Sequence, residues 1–174
     1  MRKVFLITGF NNWGKTRIIK DVFDKGSFRR DRLHKLPGTS HEFMVQTNSN
    51  DDFHLRGYCD DYNDRIKELK QQKRVPKYIV SAFCPTKEYE ARKKNGPKIF
   101  NSTDIISELY DDDEVHILLL KYKWCNHAAL RPDIIVDFYS LLKNVSVKTI
   151  AAKNYSTRLS ALSEAIRDHQ PDEL

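Results

Sequence analysis

Residues 9–16 read Gly-Phe-Asn-Asn-Trp-Gly-Lys-Thr, directly behind the apolar run Val4-Phe5-Leu6-Ile7 and directly ahead of Arg17-Ile18-Ile19-Lys20-Asp21-Val22-Phe23. This passage constrains the fold more than any other. An apolar β-rich run, a glycine-bearing loop and a segment of helical spacing predict a strand, a tight loop and a helix, the opening unit of a parallel α/β sheet. The eight residues match the pattern G-x-x-x-x-G-K-[ST] without a gap. Gly9 and Gly14 let the backbone turn tightly and aim its N–H groups inward, where a Cβ blocks close approach of an anion. Lys15 supplies a compact cation for β and γ phosphates, Thr16 a hydroxyl for Mg²⁺, and the helix behind them the positive end of its dipole. The loop therefore predicts a nucleoside-triphosphate site, with Gly9, Phe10, Asn11, Asn12, Trp13, Gly14, Lys15, Thr16 and Arg17 around the nucleotide and Thr16 on the metal.

The rest of the chain continues the alternation. Strands are expected at residues 3–8, 42–47, 77–83, 115–120 and 145–151, and helices at 15–23, 51–73, 101–110, 132–142 and 155–167. Residues 24–40 and 86–100 have neither period and are read as loops, and the tail 168–174 as frayed. A length of 174 residues suits one domain with its own core. The expectation is a three-layer α/β/α domain with a five-stranded parallel sheet.

No apolar stretch approaches a membrane span, and the first one is too short for a signal peptide, so a cytoplasmic protein with no membrane partner is expected. Cys59, Cys84 and Cys125 form no C-x-x-C pair and suggest reduced thiols. The six histidines are dispersed, none at metal-ligand spacing, and are read as surface or satisfied residues. A net charge of +6 favours an anionic partner: a nucleotide, a nucleic acid or a phosphorylated metabolite. Basic clusters at Arg29-Arg30-Asp31-Arg32, Lys73-Arg74 and Arg92-Lys93-Lys94 suit solvated loops or a lid better than a dedicated nucleic-acid patch.

With its phosphate loop, the pattern of five strand and helix units resembles the P-loop NTPase superfamily, and its small-kinase branch in particular. The resemblance implies the strand order 2-3-1-4-5, ATP or another NTP with Mg²⁺ as cofactors, and phosphoryl transfer to a small-molecule acceptor or to water. Ile79-Val80-Ser81-Ala82-Phe83-Cys84-Pro85, followed by Glu90-Ala91-Arg92, looks like the third strand of adenylylsulfate kinases. Ser81, however, stands where most P-loop enzymes carry a metal-orienting Asp. The Asp-Gly-Asp-Asn segment of adenylylsulfate kinases is replaced by Asn48-Ser49-Asn50-Asp51-Asp52. Ala151-Ala152-Lys153 looks like the Ser-Ala-Lys of small GTPases, yet Tyr122-Lys123-Trp124-Cys125 lacks the carboxylate that reads guanine, which argues against GTP.

Phosphoryl transfer needs positive charge beyond Lys15, so Lys15, Arg92 and Arg131 are the catalytic candidates. Arg131 before Pro132 also suits a plain helix start, and Arg92 a solvated charge. Asp51 and Asp52 fit either a helix N-terminus or the carboxylates that bind metal and acceptor. Trp13 and Trp124 are candidates for stacking on a base or for ordinary burial. A nucleotide-responsive module that turns over slowly, and a nucleic-acid-associated ATPase, are the alternatives.

Overall fold

The computed structural model describes residues 1–52, 57–85, 88–90, 98–100, 102–123, 129 and 131–170. Along the chain run β1 (Lys3–Thr8), α1 (Lys15–Val22), β2 (His34–Lys35), β3 (Glu42–Gln46), α2 (Gly57–Gln71), β4 (Tyr78–Phe83), β5 (Glu88–Glu90), β6 (Lys98–Phe100), α3 (Ser102–Tyr110), β7 (Glu114–Leu120), α4 (Pro132–Tyr139), β8 (Val145–Ile150) and α5 (Tyr155–Arg167). Among the described residues the main sheet has six strands in the order β2-β3-β4-β1-β7-β8.

Strand count and order thus differ from the five-stranded parallel sheet expected. The five long strands are parallel neighbours, and β2 is added at the edge, antiparallel to β3 through His34 opposite Phe43 and Lys35 opposite Glu42. Two residues are too few to show a period, so the sequence of 24–40 carries no sign of this strand. A second departure lies in residues 86–100, where β5 and β6 pair as an antiparallel ribbon with Glu90 opposite Lys98. Their three-residue lengths and high charge conceal them in the same way. Helix α2 begins at Gly57 in the described residues, so Asp51 and Asp52 are not on it; they sit in a turn closed by Ser49 N–H donating to Asp52 Oδ2 at 2.8 Å.

Strand β1 lies between β4 and β7, and its residues Val4 to Ile7 are wholly buried. Ile117, Leu118, Leu119 and Leu120 of β7 are equally buried, as a parallel strand covered on both faces must be. Alternation along β1 separates the two faces. Phe5 and its neighbours meet Phe43, His116 and, beyond α5, His169. On the opposite face Ser81, level with Leu6, bonds through Oγ with Tyr58 OH of α2 at 2.7 Å, and that hydroxyl lies 3.3 Å from Tyr110 OH of α3. Helix α1 packs with α5, which completes three layers.

The histidines, dispersed in sequence and read as surface or satisfied residues, include one close pair: His116 and His169 stack with ring centroids 3.8 Å apart. Residues 114–116 and 169 meet only because α5 returns to the amino end of the sheet, a contact that sequence spacing cannot show.

Candidate phosphate-binding site

The loop leaves β1 at its carboxyl end, where Gly9 N–H donates to Phe83 O at 3.1 Å and so stays tied to β4. A Cβ on Gly9 would come within 3.3 Å of the Trp13 Cβ, a tight approach that glycine avoids. Asn12 and Gly14 both adopt left-handed backbone, with φ of 59° and 78°, and Gly14 caps α1. Successive N–H groups in such a turn form an anion-binding concavity, and the first turn of α1 adds unsatisfied donors and the dipole. Trp13 is buried and sets its ring edge-on to Phe10 at 5.6 Å, so it packs under the loop as a hydrophobic floor.

Lys15 is only 6 % exposed. Its ammonium donates to Gly9 O at 2.7 Å and Phe10 O at 2.8 Å, which leaves one of its three donors for a ligand. Asp51 Oδ1 lies 3.8 Å from the same nitrogen. Ser49 Oγ donates to that oxygen, whereas Asp51 Oδ2 is buried without a hydrogen-bond partner. An orphaned carboxylate oxygen beside a phosphate-loop lysine is costly to keep unless something occupies it. Thr16 Oγ1 now donates to Thr47 O at 2.9 Å, in the turn that carries Asp51. Hard oxygen donors from Thr16 and Asp51 fit Mg²⁺.

Asp51 is held there by Asn50. The Asn50 side chain receives Cys84 N–H at 2.6 Å and donates to Cys84 O at 3.0 Å, clamping the turn after β3 to the end of β4. Asn50→Ala strips both partners from a buried backbone unit, and a loss of about 2–3 kcal/mol is expected in denaturant unfolding, together with weaker nucleotide binding.

Asn11 to Arg17, with Lys20, Asp21 and Asp52, line a groove of about 460 Å³ over the loop. Adjacent to it, Trp13, Gly14, Arg17, Ile18, Leu120, Tyr155 and Arg158 enclose a mostly apolar cavity of about 230 Å³. The Arg17 guanidinium lies 5.1 Å over the Tyr155 ring, and the Tyr155 hydroxyl donates to Asp21. Burial first, then the Asp21 carboxylate, pushes the Tyr155 hydroxyl up to about 12, so it remains a donor at neutral pH. Arg158 is buried and donates to Ala152 O at 3.1 Å and Lys153 O at 3.0 Å, fixing the loop after β8 as the far wall. Lys121 and Lys153 flank the Tyr122 ring at 5.5 and 5.4 Å.

Of the residues expected here, Phe10 to Arg17 lie around the groove and its floor. Arg131 does not join them: it is exposed and pairs with Asp133 at 2.8 Å, at the start of α4. Arg92 and Trp124 lie outside the described residues. Ser81 points away from the loop, into a buried network in which Gln46 and Asp61 also take part. A carboxylate does face Lys15, but it comes from the turn after β3. Asn50, Tyr155 and Arg158 carry no motif in the sequence; only the position of Tyr155 and Arg158 at the start of the last helix points to them. In the basic cluster, Arg29 pairs with Asp31 at 2.7 Å and Arg30 with Asp61 at 2.6 Å. No described helix is long and apolar enough to cross a membrane.

No protein-family model matches the chain, and no curated protein sequence does. Among solved structures it is similar to the 1.7 Å crystal structure of shikimate kinase from Bacteroides thetaiotaomicron, at 11 % identity and a TM-score of 0.37, with 96 % of each chain covered. At that score the likeness carries no conclusion about substrate or activity, which rest on the residues themselves.

Proposed function

We propose that the chain binds ATP or another nucleoside triphosphate with Mg²⁺ at residues 9–17 and acts on the γ-phosphoryl as a small kinase or NTP hydrolase. The observation that carries this reading is the buried Lys15 ammonium opposite an Asp51 carboxylate with one orphaned oxygen. The left-handed loop binds phosphate oxygens, and Lys15 offers its remaining donor to the β and γ groups. Thr16 and Asp51 hold the metal, which supplies neutralising charge to the phosphates when bound. The cavity between Trp13, Tyr155 and Arg158 has mostly apolar walls with a few polar side chains, which suit a base.

The second reading is a nucleotide-dependent binding module with little turnover. Arg131, engaged by Asp133 on the surface, favours it, since transfer needs a further cation at the moving group. A nucleic-acid-associated ATPase has the basic balance alone for support. Incubation with γ-labelled ATP, nucleotides and metabolites separates these readings: label on an acceptor or in water supports the enzyme, and label that stays on bound ATP supports the module. Asp51→Asn is expected to cut Mg²⁺-dependent nucleotide affinity roughly ten- to a hundredfold, since one charged contact is worth about 1.5–3 kcal/mol. Metal-free binding should be retained, which calorimetry with and without Mg²⁺ measures.

A further inference from the structure

At the amino ends of β1 and β7, away from the phosphate loop, Glu114, His116 and His169 bring one ligand atom each to within 4.8 Å of one another. We propose that these three residues bind a divalent ion of the zinc class, which pins the end of α5 to the start of β7.

The chemistry of the donor set selects the ion. Two imidazoles and one carboxylate suit zinc, whereas Mg²⁺ and Ca²⁺ prefer all-oxygen sites. His116 is 4 % exposed, and its Nε2 is buried without a hydrogen-bond partner. Glu114 Oε1 lies 3.0 Å from that nitrogen. The other ring nitrogen, Nδ1, is 2.9 Å from Ser146 Oγ on β8. Metal-ligating histidines are commonly oriented in this manner, one nitrogen held by an outer partner and the other presented to the ion. Phe5, stacked on the His116 ring at 5.2 Å, fixes its plane from within the core.

Binding requires a small contraction. Metal–ligand bonds of about 2.0–2.2 Å in a tetrahedron place donors roughly 3.3–3.6 Å apart. The lone pairs lie in the ring planes, so His169 must tilt out of its stack with His116 to share an ion. His169 is half-buried and follows the end of α5, and the Glu114 side chain is 36 % exposed, so both can adjust. Lys3 opposes the ion: its Nζ is 3.8 Å from Glu114 and donates to His169 O at 2.6 Å. It is about one-third exposed and can yield the carboxylate to a doubly charged ion.

The test uses the full chain, stripped with chelator and free of nucleotide, titrated with ZnCl₂ and separately with CoCl₂. One ion per chain is expected, with the visible d–d absorption of four- or five-coordinate cobalt. His169→Ala and Glu114→Gln should each weaken binding at least about tenfold, and Ser146→Ala, which removes the outer partner, by roughly ten- to a hundredfold. His41→Ala, at a histidine whose ring packs edge-on to Tyr78 at 5.1 Å, should leave zinc affinity unchanged. Zinc should raise the melting temperature of the native chain and leave that of His169→Ala unmoved. No binding by the native chain, or equal affinity in the native chain and His169→Ala, overturns the proposal; circular dichroism of the ion-free variants confirms that each compared chain is folded.

Discussion

Lys15→Ala is expected to lower ATP affinity roughly a hundredfold, since truncating one partner of a buried, hydrogen-bonded charge pair costs about 2–5 kcal/mol of binding. The lysine has two duties in this structure. It bonds the Gly9 and Phe10 carbonyls and so closes the loop on itself, and it keeps one donor for the ligand. Alanine removes both and leaves the Asp51 carboxylate without the ammonium that lies 3.8 Å from it. Because the side chain is buried, its loss also touches the fold, so the melting temperature must be read beside the affinity. Lys15→Arg separates the two effects: it retains charge, but a planar guanidinium does not fit the space of a compact ammonium between two carbonyls. Intermediate affinity with an unchanged melt is the expected outcome for that variant.

Phe5→Ala should have the largest effect on stability, about 3–5 kcal/mol in denaturant unfolding. Phe5 is wholly buried on the central strand, with its ring 6.3 Å from Phe43 and 5.2 Å from His116. A cavity there opens over one face of the central strand, whose backbone, paired with β4 and β7 on both sides, cannot shift to fill it. A domain of this kind has only about 5–15 kcal/mol of net stability, so the variant should melt far below the native chain. A loss under about 1 kcal/mol would mean that this face of β1 packs less tightly than its burial shows.

The long strands were legible because their apolar runs exceed what a chance pattern produces. Ile117 to Leu120 could only belong inside a sheet covered on both faces. The short β2, β5 and β6 were not legible, since two or three residues carry no period and depend on their partners for definition. In the site, the loop residues announced themselves through glycine spacing and the Gly-Lys-Thr ending. Asp51 was visible only as one of two adjacent acids, and its facing of Lys15 depends on Asn50 gripping the Cys84 backbone thirty-four residues away. Ser81 is a different case: it stands where most P-loop enzymes carry a metal-orienting Asp, and the alternation of the pleat turns its hydroxyl toward Tyr58. Arg158, a charged residue on an amphipathic helix, reads as a surface residue in sequence and is buried because two loop carbonyls receive it.

The central claim is that residues 9–17, with Asp51, form a site for a nucleoside triphosphate and Mg²⁺. Calorimetric titration of the native chain with ATP, in the presence and absence of Mg²⁺, tests it most directly. One saturable site per chain, tightened by Mg²⁺ and lost in Lys15→Ala, is the predicted result; no saturable binding, or affinity that Lys15→Ala leaves unchanged, contradicts it.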